Sequence, residues 1–192
     1  MSVDAVADRL GARIRSARLA SGESVRSFAR RLELSPSLLS QIELGRVRPS
    51  VATLYAVVRE LGIALDEVFA EAGAPVSDEP PRHVRRAADR ERIELDTGIH
   101  WERLTAAHDP QVDFVHVTYE PGARSTDDPG LLTHAGREYG YVLEGRLGVQ
   151  IGFDTYELDP GDAVSFPSAT PHRSWAVGDE PAVAVWVNVG NR

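Results

Sequence analysis

Apolar residues in the first 70 positions recur at the three- and four-residue spacing of short amphipathic helices. The segment 35–50, SPSLLSQIELGRVRPS, is the clearest case. Its apolar positions fall on one helix face: Leu38, Leu39 and Ile42. Ser35 suits the N-cap, Pro36 suits the first helical position because no backbone donor is needed there, and Gly45 suits the end. The pattern predicts a short helix with a polar outer face.

A second short helix is predicted immediately upstream, in the segment 24–34, SVRSFARRLEL. It carries a matching apolar stripe: Val25, Phe28, Ala29 and Leu32. Two short helices joined this tightly indicate a helix-turn-helix. Further helices are predicted over 51–61 and 65–70.

The free face of the second helix of this motif has the side chains that reading a DNA major groove requires. The predicted DNA-binding residues are Ser24, Arg26, Ser35, Ser37, Ser40, Gln41, Arg46 and Arg48. The arginines among them are expected to contact phosphates, as are Arg13, Arg15 and Arg18 of the preceding helix. The alternative is a helical bundle whose polar face is merely solvated.

The hydrophobic period changes after residue 82. Residues 71–82, EAGAPVSDEPPR, have no apolar periodicity and indicate a linker. Beyond it, short runs alternate between apolar and polar positions, namely VDFVHVTYE, YGYVLEG, RLGVQIG, AVSFP and AVAVWVNV. Many short strands predict an all-β sandwich or barrel. We therefore expect an α+β multidomain chain, with a helical domain at 1–70, a linker at 71–82 and a β domain at 83–192.

Charge divides between the two predicted domains. The whole chain has a net charge of −8, but residues 1–70 hold 10 Arg against 8 acidic residues, and residues 71–192 hold 11 Arg against 21. Attraction to DNA is therefore expected to be local to the helical domain. The chain has no cysteine, which excludes disulfides and thiolate zinc sites. With no long apolar run and no signal-peptide pattern, we expect a cytoplasmic protein without a membrane partner.

Two histidines and a glutamate form the candidate chemical site of the β domain: His134, Glu138 and His172. Residues four apart in an extended strand project from the same face, so His134 and Glu138 are expected side by side, with Leu132. A facing strand after the turn YELDPGD would bring His172 alongside them. Two imidazoles and a carboxylate are the facial triad that holds iron(II), manganese or zinc with open coordination positions.

The helical segment resembles the helix-turn-helix of the phage-repressor-like regulators, often called the XRE family. The family pattern S-x-S-x-x-S-x-I-E-x-G-x-x-x-P-S runs here from Ser35 to Ser50. The resemblance extends over about residues 8–70. It implies a lambda-repressor-like fold that binds a double-stranded DNA operator.

The β domain resembles the cupin superfamily, which implies a jelly-roll barrel. His134 to Gly145 and Gly161 to His172 match its two motifs in part, but the first histidine of the usual H-x-H pair is Leu132. Three of four cupin ligands therefore remain. Three interpretations stay open: a bound metal, an organic effector hydrogen-bonded by the same residues without metal, or purely structural histidines. Leu132 and Tyr141 are the predicted ligand-binding residues beside the triad.

The combined resemblance predicts a transcriptional regulator without catalytic residues. In this hypothesis the helix-turn-helix binds an operator, the cupin barrel binds a small-molecule effector or metal, and the barrel joins two chains into a homodimer on a palindromic site. The alternative is a mononuclear iron-dependent oxygenase, because the string H-A-G-x-E at 134–138 resembles the iron site of hydroxypropylphosphonate epoxidase.

Overall fold

The helical domain has helices in the three segments 24–34, 35–50 and 51–61, as predicted. The computed structural model describes residues 3–63, 65–69, 83–107, 109–126 and 130–190. The helices within these ranges are α1 (Val3–Ala20), α2 (Val25–Arg31), α3 (Pro36–Glu43) and α4 (Val51–Leu61). Leu65–Phe69 forms a 3-10 turn where a fifth helix was predicted. Residue 70 and the predicted linker 71–82 lie outside the described residues.

Serine N-caps fix where three of these helices begin. The hydroxyl oxygens of Ser24, Ser35 and Ser50 each accept a hydrogen bond from the backbone N–H three residues later, all at 3.1 Å. Each cap satisfies a backbone donor that the first helical turn would otherwise leave unpaired. The helices then pack around one apolar core, whose fully buried members include Ile14, Phe28, Leu39 and Leu54.

The β domain consists of two antiparallel sheets. Its strands are β1 (Arg92–Glu94), β2 (Ile99–Arg103), β3 (Val112–Tyr119), β4 (Arg137–Glu144), β5 (Leu147–Ile151), β6 (Asp154–Leu158), β7 (Ala163–Pro167), β8 (His172–Ala176) and β9 (Ala182–Val189). One sheet has the order β1-β2-β3-β9-β4-β7, and the other has the order β6-β5-β8. This agrees with the predicted all-β fold. The strands β3, β4, β5, β7 and β9 follow the alternating runs of the sequence.

Alternation along the long strands turns one set of side chains toward the space between the sheets. In β3 every second residue is buried, from Asp113 to Tyr119. In β9 the buried set includes Trp186 and Asn188. Because the buried set contains an aspartate and an asparagine as well as apolar residues, the interior of the barrel is partly polar.

The two domains touch each other directly. Val51 and Tyr55 of α4 line the cavity between the sheets together with barrel residues. The loop between α3 and α4 is tied to the first strand region, because Arg48 pairs with Glu94 at 2.7 Å and the Asp96 N–H donates to the Pro49 carbonyl at 3.2 Å. Through Val51 and Tyr55, α4 forms part of the wall of the barrel cavity. Within the described ranges, every helix is too short or too polar to cross a membrane.

Candidate functional site

The outer face of α3 presents the polar row that the sequence predicts. Ser35 and Ser37 are exposed, and Ser40 and Gln41 are half-buried. The Gln41 side-chain Nε2 donates to Ser37 Oγ at 3.2 Å, which places these two side chains on the same face one turn apart. The opposite face is buried through Leu39 and Ile42. The helix thus has the amphipathic division that a groove-reading helix requires.

Most of the flanking residues also lie at the surface. Ser24 and Arg26 at the start of α2 are exposed, and so is Arg46 after α3. Arg48 differs, because its guanidinium is one-third exposed and pairs with Glu94 of the β domain. DNA contact by any of these residues remains a prediction.

Arg18 has a different role from the predicted one. Its guanidinium is buried and pairs with Glu43 through Nε to Oε1 at 2.5 Å and Nη2 to Oε2 at 2.8 Å. The hydrogen bonds that Arg18 donates to Glu43 raise the pKa of Arg18. The prediction that Arg18 contacts phosphate is wrong, since this buried pair joins α1 to α3. Arg13 pairs with Glu67 at 3.1 Å, and Arg15 is exposed.

The predicted triad comes together in the β domain. Glu138 lies on β4, His172 is the first residue of β8, and His134 lies in the loop before β4. Glu138 Oε1 is 2.7 Å from His134 Nε2 and 3.2 Å from His172 Nε2. The three potential ligand atoms all lie within 4.8 Å of one another. All three side chains are about nine-tenths buried.

The backbone conformation that brings His134 and Glu138 together differs from the predicted one. His134 and Glu138 were expected to share a strand, but β4 begins at Arg137 and the chain bends at Gly136, which has φ 98°. The left-handed φ is accessible to glycine because it has no Cβ. Leu132 forms an isolated β-bridge with His172 instead of continuing the strand. The bend turns the His134 side chain back toward Glu138.

Hydrogen bonds hold both imidazoles in place. His172 Nδ1 is 2.8 Å from the Thr170 carbonyl, and His134 Nδ1 is 3.1 Å from the Ala135 carbonyl. The Asn188 side-chain amide is also 3.1 Å from His134 Nδ1. At His172, a proton on Nδ1 would donate to the Thr170 carbonyl, whereas at His134 the Asn188 amide would donate to Nδ1. Metal-ligating histidines are commonly oriented by a hydrogen bond at the second ring nitrogen.

The electrostatics favour an ionised carboxylate at the centre of the site. Burial raises the pKa of Glu138, but polar contacts with His134 and His172 and their charge outweigh burial and lower it to about 2. Burial lowers the pKa of His172, whereas its hydrogen bond with Glu138 and the carboxylate charge raise it, and the net shift is upward. The site therefore places an ionised carboxylate between the two imidazoles.

The donor set fits a divalent cation. His134 Nε2 is buried without a well-aligned hydrogen bond despite its short distance from Glu138, so a buried lone pair or N–H is left for another partner. Two imidazole nitrogens and a carboxylate suit iron(II), manganese or zinc. Leu132 stands where the usual cupin has a further histidine, and its buried side chain lines the cavity.

The cavity beside the triad has aromatic walls and additional buried polar groups. The aromatic residues that line it are Tyr55, Trp101, Tyr119, Phe166 and Trp186. Asp113 and Asn188 add polar atoms, and both are at least 95% buried. A mostly apolar pocket with a few convergent polar groups is typical of small-molecule sites.

Tyr55 is a site residue that sequence reasoning missed. Its ring stacks on the His134 imidazole with centroids 4.4 Å apart and planes 7° apart. Burial, together with the nearby carboxylates of Glu138 and Asp113, raises the pKa of the Tyr55 hydroxyl well above the ordinary value. Tyr55 lies on α4 of the helical domain, so no pattern within the β domain could indicate it.

Tyr141 is the predicted site residue that the structure places elsewhere. It lies on β4 three positions after Glu138, and an odd separation turns the two side chains to opposite faces of the sheet. Its side chain is 48% exposed on the outer face of the barrel. The prediction that Tyr141 contacts a ligand beside the triad is therefore wrong.

Comparisons with known proteins agree with this two-domain architecture. A family model described as helix-turn-helix matches residues 14–68, and one described as cupin domain matches residues 115–188. The HTH-type transcriptional regulator PuuR of Escherichia coli (strain K12) is 29% identical over 164 residues, which cover 84% of this chain and 84% of PuuR.

Solved structures resemble the chain as well. An HTH_3 family transcriptional regulator from Vibrio cholerae has a TM-score of 0.70 at 21% identity and covers 100% of both chains. Hydroxypropylphosphonic acid epoxidase from S. wedmorenis has a TM-score of 0.46 at 20% identity over 95% of this chain and 98% of that chain. The Vibrio cholerae structure shows that the arrangement of helical domain and β domain found here is a known fold.

Proposed function

The chain belongs to the helix-turn-helix transcriptional regulators that carry a C-terminal cupin domain, and from this premise we propose that its cupin site modulates operator binding. The helical domain binds double-stranded operator DNA through α3. The cupin site binds a divalent metal, a small-molecule effector or both. One observation carries the proposal: the polar face of α3 and the buried triad His134, Glu138 and His172 occur in one chain whose two domains are in contact.

The surface of the helical domain supports DNA as the partner. The α3 row is accessible, and Arg26 and Arg46 lie exposed on either side of it. The side chains of the row would contact base edges, and the arginines would contact phosphates. The acidic β domain limits this attraction to the helical domain.

The triad supports a divalent cation as the first ligand of the cupin site. His134 Nε2, His172 Nε2 and a carboxylate oxygen of Glu138 would hold it, and the cation would supply a Lewis acid with coordination positions open to an effector. The cavity of aromatic side chains beside the triad would enclose the organic part of that effector. Without metal, the same three side chains would hydrogen-bond the effector directly.

The iron-dependent oxygenase remains the second candidate function, because the triad and the adjoining cavity would serve an enzyme equally well. The capped α3 with its accessible polar row favours the regulator, since an oxygenase has no use for it. Oxygen consumption by the iron-loaded chain with candidate phosphonates would be the direct sign of the enzyme.

The proposed regulator acts as a homodimer. One helix-turn-helix contacts a single half-site, and pairing two of them on a palindromic operator multiplies the contacts. The outer face of β4 supports the barrel as the dimer contact, because Tyr139, Tyr141 and Leu143 expose 41–48% of their surface there.

Operator binding is tested by fluorescence anisotropy with a labelled duplex from the DNA upstream of the chain's own gene. We expect binding at low salt and a linear fall of log K with log salt between about 50 and about 200 mM, because phosphate contacts release counterions. Absence of binding at the lowest salt concentration would contradict the regulator.

Metal binding is tested by elemental analysis of chain purified without chelator. The matched variant Glu138→Gln keeps the shape of the side chain and removes its charge. We expect the wild-type chain to retain metal and the variant to bind it more than about 10-fold more weakly, because even groups that only support metal ligands contribute about 10- to 100-fold. Equal metal content in both proteins would exclude Glu138 as a ligand.

A further inference from the structure

We propose that Tyr55 is a positioning residue through which the DNA-binding domain completes the cupin site, so that occupancy of the site and the placement of α4 depend on each other. This inference rests on the proposed function and deepens it. It names the physical link between the triad and the helix-turn-helix.

Tyr55 covers one face of His134. Its ring stacks on the imidazole with centroids 4.4 Å apart and planes 7° apart, and the Asn188 amide lies 3.1 Å from Nδ1 of the same imidazole. Trp101 of β2 meets the Tyr55 ring edge-on with centroids 5.9 Å apart. The Tyr55 ring therefore packs against side chains of the β domain although it belongs to α4.

A displacement of α4 is transmitted to α3 because the two helices pack against each other and are joined by a short loop. Leu54 and Val57 of α4 share a continuous buried core with Leu39 and Ile42 of α3. The intervening loop is anchored to the β domain by the Arg48–Glu94 pair and by the Pro49 carbonyl. A shift of α4 along the barrel therefore moves α3 with it, because close-packed cores transmit displacement instead of absorbing it.

Because of thermodynamic linkage, the contact between Tyr55 and His134 couples the affinity of the cupin site to the placement of α4. If α4 leaves the barrel, His134 loses the ring that covers it, so the affinity of the site differs between the docked and undocked arrangements. A ligand that binds the two arrangements with different affinity must shift the balance between them. If the operator also prefers one arrangement, the ligand changes the affinity for the operator, and the operator changes the affinity for the ligand by the same factor.

The experiment uses the full-length chain, Co²⁺ as the probe, and three variants. Tyr55→Leu removes the ring and the hydroxyl, and Tyr55→Phe keeps the ring. Tyr156→Leu is the matched control, because Tyr156 is 47% exposed on β6 and lies outside the lining of the cavity. Far-UV circular dichroism and the melting temperature establish that each variant is folded.

The first readout is the NMR signal of the His134 ring protons in chelator-treated chain, assigned from the His134→Gln variant. A stacked aromatic ring moves these signals upfield. We expect Tyr55→Leu to move them downfield, and Tyr55→Phe and Tyr156→Leu to leave them close to their wild-type positions. Unchanged His134 signals in Tyr55→Leu would overturn the inference.

The second readout is operator affinity with and without Co²⁺, whose binding is followed by visible absorption. We expect Co²⁺ to change wild-type operator affinity by about 5-fold or more, within the usual range of allosteric couplings. We expect this change to fall below about 2-fold in Tyr55→Leu and to persist in Tyr156→Leu. Equal changes in wild type and Tyr55→Leu, or Co²⁺ binding by wild type that leaves operator affinity unchanged, would overturn the inference.

The two proposals fail in distinguishable ways. A wild-type chain that takes up no Co²⁺ contradicts the metal site of the proposed function, and a chain that ignores operator DNA contradicts the regulator. The His134 signals then decide the Tyr55 contact by themselves, since they are recorded without metal or DNA.

Discussion

Individual side chains of the helical domain divide into those that support the fold and those left free to contact a partner. Arg18 and Glu43 illustrate the first group, because both are about 95% buried and satisfy each other. Gln41, two residues before Glu43, illustrates the second, since its amide lies on the accessible face of α3. Neighbouring polar residues on one short helix thus serve different purposes.

Gln41→Ala is predicted to weaken operator binding at particular base pairs. An amide side chain reads a base edge, so we expect a loss of about 1–3 kcal/mol on the preferred sequence and little loss where that base pair is changed. Arg46→Ala is the comparison, because loss of a phosphate contact should weaken all sequences alike and flatten the salt dependence. Anisotropy titrations against a panel of single-base operator variants measure both. Uniform losses from Gln41→Ala would mean that the reading face lies elsewhere.

The triad shows what could and could not be predicted at the residue scale. His134, Glu138 and His172 were identified from residue chemistry and motif spacing, and the structure places them together. The alternation of side chains along a strand also excludes Tyr141 from the site. Residues 138 and 141 are an odd number of positions apart, so their side chains lie on opposite faces of the sheet. Tyr55 could not be identified, because its contact with His134 joins residues 79 positions apart in different domains.

At the element scale, local signals explain which elements were predictable. The N-cap serines of α2, α3 and α4 can be recognised from the sequence alone. The strands β3 and β9 bury every second residue, which makes their alternating pattern recognisable as well. The strands β1, β2 and β6 were not predicted, and β8 was expected only as a strand after the turn 156–162 that carries His172. These strands are three to five residues long, and β6 has almost no buried side chain, so their local pattern is too short to identify them.

Gly11 of α1 lies directly against the backbone at the end of α3. A Cβ built at Gly11 would lie 2.3 Å from the Ile42 carbonyl oxygen and 2.9 Å from that of Glu43. Both atoms belong to the backbone at the end of α3, so neither can move without moving the helix. A residue without a side chain is therefore required for this packing.

Gly11→Ala is predicted to destabilise the helical domain even though alanine favours helix formation. The added methyl group would separate α1 from α3, and we expect a loss of about 1–3 kcal/mol in the free energy of unfolding, as for other overpacked cores. Chemical denaturation followed by circular dichroism measures it. Ala12→Ser, at the exposed position beside Gly11, should change stability by less than about 0.5 kcal/mol. A Gly11→Ala chain as stable as wild type would contradict the close approach.

At the scale of the whole molecule, the contact between the domains changes how the predicted architecture is understood. The sequence indicated a DNA-binding domain at 1–70 and a sensor domain at 83–192, separated by a linker. The described residues instead put α4 against the cavity, with Tyr55 over His134. Communication between the sites then needs only a small displacement of packed elements.

The outer face of the larger sheet leads to a prediction about assembly. Tyr139, Tyr141 and Leu143 of β4 are each more than 40% exposed, and Val189 on the neighbouring β9 is 43% exposed. Scattered exposed apolar residues are common on protein surfaces, but a contiguous group on paired strands marks an interaction surface. A second copy of the chain would bury this surface and pair two copies of α3 for a palindromic operator.

Tyr141→Arg should therefore convert a dimeric chain into a monomer, because a charge at the centre of an apolar interface is left without a partner. Size-exclusion chromatography with light scattering measures the mass directly. The control is Phe153→Arg. Phe153 is fully exposed in the turn between β5 and β6, so this substitution adds the same charge away from the proposed interface. The monomer should also lose affinity for a two-half-site operator while it retains the affinity of wild type for a single half-site. A wild-type chain that is monomeric, or a Tyr141→Arg chain that stays dimeric, would show that β4 does not form the dimer contact.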